Sequence, residues 1–80
     1  MLQELKTAKK VVGIKQLRKA LKEDCAARVY LADNADPRLT DPIRALCEER
    51  GIPVETVETM LKLGESCGIQ VGAAAAAILR

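Results

Sequence analysis

Near the end of this chain stand five consecutive alanines, Ala73 to Ala77, followed by Ile78 and Leu79. Alanine has the highest intrinsic helix propensity, so the run taken alone favours a helix. Its position favours a strand. The upstream segments alternate between helical and extended periodicity, and that alternation needs a final strand for its sheet. A strand of methyl groups suits a sheet pressed by helices on both faces. Val71 to Leu79 is therefore expected to be a strand.

The alternation itself is read from spacing. Leu2 and Leu5, then Ala8 or Lys9, give a short first helix. Val11-Val12 is a brief strand, ended by Gly13. From Lys15 to Glu23, Leu17, Ala20 and Leu21 recur at i, i+3 and i+4, with Lys15, Arg18, Lys19 and Lys22 on the opposite face. That is an amphipathic helix with one basic side. Arg28 to Asp33 reads as a strand, and Asn34-Ala35-Asp36-Pro37 as a turn. Asp41 and Pro42 then look like an N-cap and first helical residue, with Ile43, Leu46, Cys47 and Arg50 carrying the period and Gly51 stopping it. Val54 to Val57 is a short strand. Glu58 to Cys67 is a helix with Met60, Leu63, Gly64 and Cys67 on one stripe, closed by Gly68. The order α-β-α-β-α-β-α-β defines a layered α/β fold. Eighty residues leave no room for a second core, so residues 1–80 are expected to be one domain.

Composition excludes several functions. Tyr30 is the single aromatic, and there is no Phe, Trp or His. Without imidazole the commonest acid–base catalyst and metal ligand is missing. Without aromatic rings, single-stranded bases have no stacking platform. Ser66 is the only serine and has no histidine to activate it. Gly13-Ile14-Lys15-Gln16 lacks the spacing of a P-loop. No catalytic residue is expected, and no cofactor. Cys25, Cys47 and Cys67 are odd in number and form no C-x-x-C pair, so no metal site is expected. They read as buried or half-buried thiols of a reducing cytosol. The N-terminus lacks the apolar region of a signal peptide, and no apolar stretch is long enough to span a bilayer. A soluble cytoplasmic protein with no membrane partner is expected.

The net charge of +2 hides a split. Residues 1–22 carry seven Lys/Arg against one acid, while residues 23–80 carry six against ten. Such asymmetry points either to a polyanion-facing surface or merely to a solvated helix face.

Two segments carry the candidate chemistry. At Gly13-Ile14-Lys15-Gln16 a strand ends and the basic helix begins. A helix N-terminus attracts phosphate through its free N–H groups and positive dipole end. Gln16 offers a donor and an acceptor suited to a base edge. Lys15 and Lys19 share a face, and Arg18 lies beside them. The plainer reading is a glycine turn and lysines that keep the surface soluble. The second segment runs through Gly68-Ile69-Gln70-Val71-Gly72. An exposed aliphatic pair on a glycine-framed loop suits packing against an unstacked base. The plainer reading is a hydrophobic contact closing a Schellman-type helix cap.

Three motifs together resemble a known family. They are Gly13-Ile14-Lys15-Gln16-Leu17-Arg18-Lys19-Ala20-Leu21, Ala35-Asp36-Pro37-Arg38-Leu39-Thr40, and Leu63 to Ile78. The chain resembles the kink-turn RNA-binding family of the ribosomal protein L-seven-Ae type, most nearly its short bacterial YbxF-like branch. The resemblance implies a three-layer α-β-α sandwich with a mixed four-stranded sheet, and a strand for the alanine run. It implies a partner too: structured RNA containing a kink-turn, a sharply bent element with tandem sheared G·A pairs and a flipped-out loop nucleotide. By this resemblance Lys15 and Gln16 enter the major groove at the G·A pairs, with Lys19 one turn later, and Ile69, Gln70 and Val71 cover the flipped base. Archaeal and eukaryotic members carry Asn-Glu where this chain has Lys15-Gln16. Here an amide replaces an acceptor-only Glu, and charge takes a larger share of affinity. The expectation is a non-catalytic, monomeric ribonucleoprotein component that stabilises kink-turns, related to the ribosome or to a riboswitch. The rival is a small ribosome-associated module held mainly by protein contacts.

Overall fold

The computed structural model describes residues 9–80. The first helix expected around Leu2 and Leu5 lies outside them. In chain order the elements are β1 (Lys10–Val12), α1 (Ile14–Lys22), β2 (Ala26–Ala32), α2 (Pro37–Arg50), β3 (Val54–Val57), α3 (Met60–Ser66) and β4 (Ala75–Leu79). The four strands form one mixed sheet in the order β1-β4-β2-β3. β4 runs antiparallel to both neighbours, with Val12 opposite Ala76 and Val29 opposite Ala77. β2 and β3 are parallel, with Val29 opposite Val54, and α2 supplies the crossover that parallel pairing requires.

The alanine run is a strand, and its position explains its composition. β4 lies inside the sheet and its side chains alternate between faces. Ala75 and Ala77 join Leu17 and Leu21 of α1, Val29 and Leu31 of β2, and Ile43 and Cys47 of α2 in one core cluster. Ala76 joins Tyr30, Val57, Leu63 and Cys67 in a second cluster beneath α3. All three alanines are fully buried. Helices thus press on both faces, forming an α-β-α sandwich, and a larger side chain in β4 would push a layer outward.

Several boundaries differ from expectation, α2 and β4 most. α2 begins at Pro37, not at Asp41-Pro42. The Asp36 carboxylate accepts the Arg38 N–H at 2.9 Å, so Asp36 is the N-cap and Pro37 the first helical residue. Pro42 lies inside the helix, where it has no N–H to donate to the Arg38 carbonyl. Both residues are exposed, so the lost bond falls on the solvent side of the helix. The second difference is β4, which starts at Ala75 rather than Val71. Residues 71–74 form a loop because the Ala73 N–H turns to the Met60 carbonyl of α3, at 2.9 Å, instead of to a strand. α3 is also slightly shorter than the expected Glu58 to Cys67. The Thr59 hydroxyl caps it by accepting the Lys62 N–H at 3.0 Å.

Candidate nucleic-acid interface

Strand directions gather four connections at one end of the sheet. β1, β2 and β3 end there and β4 begins there. Short bonds weld this end together. The Gly13 N–H donates to the Ala75 carbonyl at 2.8 Å, Ala32 N–H to Ala74 at 2.9 Å, and Asp33 N–H to Val57 at 2.7 Å. The turn before α1 and the loop before β4, named separately from sequence, are thereby neighbours.

α1 presents an uncapped end. Gly13 is its N-cap and has no side chain to cap with, and the first turn holds no acid. Gly13 sits at φ +100°, a region that side-chain-bearing residues rarely enter, so the sharp turn from strand to helix depends on glycine. The first intrahelical bond is Leu17 N–H to the Gly13 carbonyl, 3.0 Å. The N–H groups of Ile14, Lys15 and Gln16 precede it and point out of the helix end with its positive dipole. Leu17, Ala20 and Leu21 anchor the inner face. Lys15, Gln16, Arg18, Lys19 and Lys22 are all exposed, and none of these four cations forms an ion pair among the described residues. Ile14 is different: it is half-buried and packs against the core, so it positions the turn rather than facing out. The far end of α1 is fixed by Arg50, whose Nη1 donates to the Leu21 carbonyl at 2.7 Å.

The loop before β4 is rigidly mounted. It begins with a Schellman motif: Gly68 N–H donates to the Glu65 carbonyl and Ile69 N–H to the Gly64 carbonyl, each at 3.0 Å. Ile69 is half-buried against the second core cluster. The two sequence readings of the aliphatic pair therefore divide between its members. Ile69 closes the cap, whereas Val71 is 66% exposed and free for contact. Gln70 and Gly72 are exposed beside it. Gly64 makes this mounting possible, since a Cβ there would fall on the Val71 carbonyl oxygen. The absence of a side chain lets α3 and the loop backbone touch.

One supporting residue was missed in the sequence. Asn34 read only as a turn former, yet its Oδ1 accepts the Met60 N–H at 2.7 Å and ties the β2–α2 loop to α3. The partners are 26 residues apart, so no local pattern marks the bond. Nearby, the Arg38 guanidinium grips both Asp36 carboxylate oxygens, at 2.9 to 3.3 Å. This bonding, with the Arg38 N–H, holds the Asp36 carboxyl below its usual value of 3.8.

The cysteines are free thiols, Cys25 half-buried and Cys47 and Cys67 buried. Burial pushes the Cys47 and Cys67 thiols above their ordinary values, which disfavours thiolate chemistry. Among the described residues no group of His, Cys, Asp or Glu is placed to hold a metal ion. No helix among them is long and apolar enough to cross a membrane.

Together these features define a class: a small α-β-α sandwich offering a basic, uncapped helix end beside a rigid loop tipped with an aliphatic residue. The chain belongs to the Ribosomal protein L7Ae/L30e/S12e/Gadd45 family, whose sequence profile matches residues 1–80. An RNA-binding protein of Geobacillus sp. (strain WCH70) is 49% identical over 76 residues, 95% of this chain and 93% of its own length. The RNA-binding protein YbxF of Geobacillus stearothermophilus is 47% identical with the same coverage. Among solved structures, a Giardia lamblia 15.5kD RNA binding protein superposes with a TM-score of 0.88 at 25% identity, covering 99% of this chain and 70% of that one. The family, its short bacterial branch and the mixed four-stranded fold thus agree with the resemblance read from the motifs.

Proposed function

We propose that this protein binds structured RNA at kink-turns and stabilises their bend, without catalysis. Family membership and relatives named as RNA-binding support the RNA partner. The observation that carries the finer reading is the convergence of two surfaces at one end of the sheet. There the uncapped N-terminus of α1 stands beside the loop bearing Val71, joined through the Gly13–Ala75 bond. A phosphate is drawn to the first surface and an unstacked base to the second.

The groove of regular A-form RNA is too deep and narrow for side chains to read. A sharp bend with non-Watson–Crick pairs opens it. Recognition is then of shape first, with the first turn of α1 entering where Lys15 and Gln16 reach base edges, and Arg18 and Lys19 meeting phosphates. Binding draws a bent–extended equilibrium toward the bent state by preferring it. The protein acts as a monomer in the cytoplasm, on ribosomal or riboswitch RNA.

A gel-shift comparison tests this reading. A kink-turn hairpin and a hairpin with its G·A pairs converted to Watson–Crick pairs are titrated at moderate salt. The kink-turn should bind far more tightly. Equal or absent shifts would favour the rival, a module held by protein contacts.

A further inference from the structure

β3 is an edge strand, because the sheet order β1-β4-β2-β3 gives it a neighbour on one side only. Its inner side is engaged. The Val29 N–H donates to the Pro53 carbonyl at 3.0 Å and the Asp33 N–H to the Val57 carbonyl at 2.7 Å. In a parallel ladder alternate residues turn toward the partner strand, so the backbone groups of Pro53, Glu55 and Val57 face β2. Those of Val54 and Thr56 face outward, and such a row of N–H and C=O groups is a template for another strand. Two depressions border this edge. Arg28, Pro53, Val54 and Glu55 line one of about 250 Å³, and Glu55, Thr56, Val57, Glu58 and Lys62 line one of about 200 Å³. Glu55 belongs to both, and its Oε2 is buried with no hydrogen-bond partner. Tyr30 stands opposite Glu55 in register, and its own buried hydroxyl is likewise unpartnered, so β2 does not satisfy the carboxylate. A buried carboxylate oxygen without a donor is costly, and a cation arriving from outside removes that cost.

We infer that the outer edge of β3 docks an extended, basic segment of a partner polypeptide, which adds as a further strand and sets a lysine or arginine against Glu55. Backbone bonds to Val54 and Thr56 supply affinity, and the two depressions select side chains. The depressions follow one another along β3, as alternate side chains of an added strand do. Charge selects the occupant. From Gly51 to Leu61 the chain carries Glu55 and Glu58 and no base. Lys62 engages Glu58 at 3.5 Å, whereas the buried oxygen of Glu55 is unmet. Pro53 and Val54 give the methylene stem of an incoming lysine or arginine an apolar wall. A second copy is a poorer occupant, since pairing β3 with β3 brings two Glu55 carboxylates together. The edge lies three strand spacings, about 14 Å, from β1 and the turn into α1. A peptide held there leaves the basic face of α1 open, so this inference stands apart from the RNA reading.

NMR titration of the isotope-labelled full chain tests this, with an end-capped octapeptide alternating lysine and valine as the probe. The peptide should shift the amides of Val54 and Thr56 saturably, and those of α1 little. Replacing its lysines by glutamate, or methylating its backbone nitrogens, should each weaken binding about ten-fold or more. Glu55→Gln, similar in shape but uncharged, should weaken the lysine peptide about ten-fold. Glu55→Lys should reverse the preference in favour of the glutamate peptide. Circular dichroism confirms that both variants fold, and the peptide comparisons decide the matter even where a substitution at Glu55 unfolds the chain. Absence of saturable binding, shifts confined to other surfaces, equal affinity for the two peptides, or indifference to backbone methylation would each overturn the site. So would β3 shifts that grow with protein concentration alone, which would assign the edge to a second copy, or stronger β3 shifts with duplex RNA, which would assign it to nucleic acid.

Discussion

Gln16 and Lys19 sit one turn apart on α1, both exposed, yet they are assigned different work. Gln16 stands by the uncapped helix end, where an amide can both donate to and accept from a base edge. Lys19 offers a point charge to a phosphate. Gln16→Ala should therefore erode discrimination between sheared G·A and Watson–Crick pairs by about ten-fold. Lys19→Ala should weaken all RNAs alike and flatten the slope of log affinity against log salt by about one unit. Filter binding over a salt series separates the two outcomes. At Gly64 the argument is steric. Gly64→Ala sets a methyl group against the Val71 carbonyl, and a backbone oxygen cannot swing aside as a side chain can. It should cost about 1–3 kcal/mol in denaturant unfolding. It should also weaken RNA binding by displacing the loop. Val71→Ser makes the complementary case, lowering affinity by about 1–3 kcal/mol with stability almost unchanged, because Val71 is exposed and Ile69 keeps the cap.

At the scale of elements, sequence periodicity marked the buried faces of α1 and α3, while β4 was marked as a strand by its place in the alternation and by the family resemblance, against the helix propensity of its alanines. It failed where two local signals competed. Asp36-Pro37 and Asp41-Pro42 both have the form of a helix start, and the spacing rules do not rank them. The first is used because its carboxylate reaches the Arg38 N–H, and because Pro42 can lose a bond on the solvent side. The start of β4 was also hidden, since Val71 and Ala73 look strand-like until Ala73 is drawn to α3. The tie from Asn34 to Met60 leaves no trace in local pattern. The cap of α2 yields a pH prediction. The carboxyl of Asp36 titrates below 3.8 because Arg38 binds its charged form. A carboxyl lowered on folding stabilises above its unfolded value and loses that contribution as pH falls through its folded value. Carbon-detected NMR should place the Asp36 midpoint below 3.8, and Arg38→Ala should return it toward 3.8. Since the group is exposed, the effect on global stability should be small.

For the whole molecule, a net charge of +2 would not suggest a polyanion partner. The fold changes that reading by concentrating cations. α1 holds four cations on one face, none of them in an ion pair among the described residues, at the end of the sheet where the loop bearing Val71 also stands. Placement, more than total charge, makes the surface. About four to six phosphate contacts would give a slope of log affinity against log salt of roughly −3 to −5. Scarcity of aromatic rings points the same way, away from stacked single strands and toward a folded, bent duplex. The most direct test is the end-to-end distance of a doubly labelled kink-turn RNA, followed by fluorescence energy transfer in ionic conditions where the free RNA is extended. Adding the protein should shorten that distance saturably, while an RNA with its G·A pairs replaced stays extended. Binding that leaves the kink-turn extended, or that bends both RNAs equally, would contradict the proposal that this protein selects and stabilises the bend.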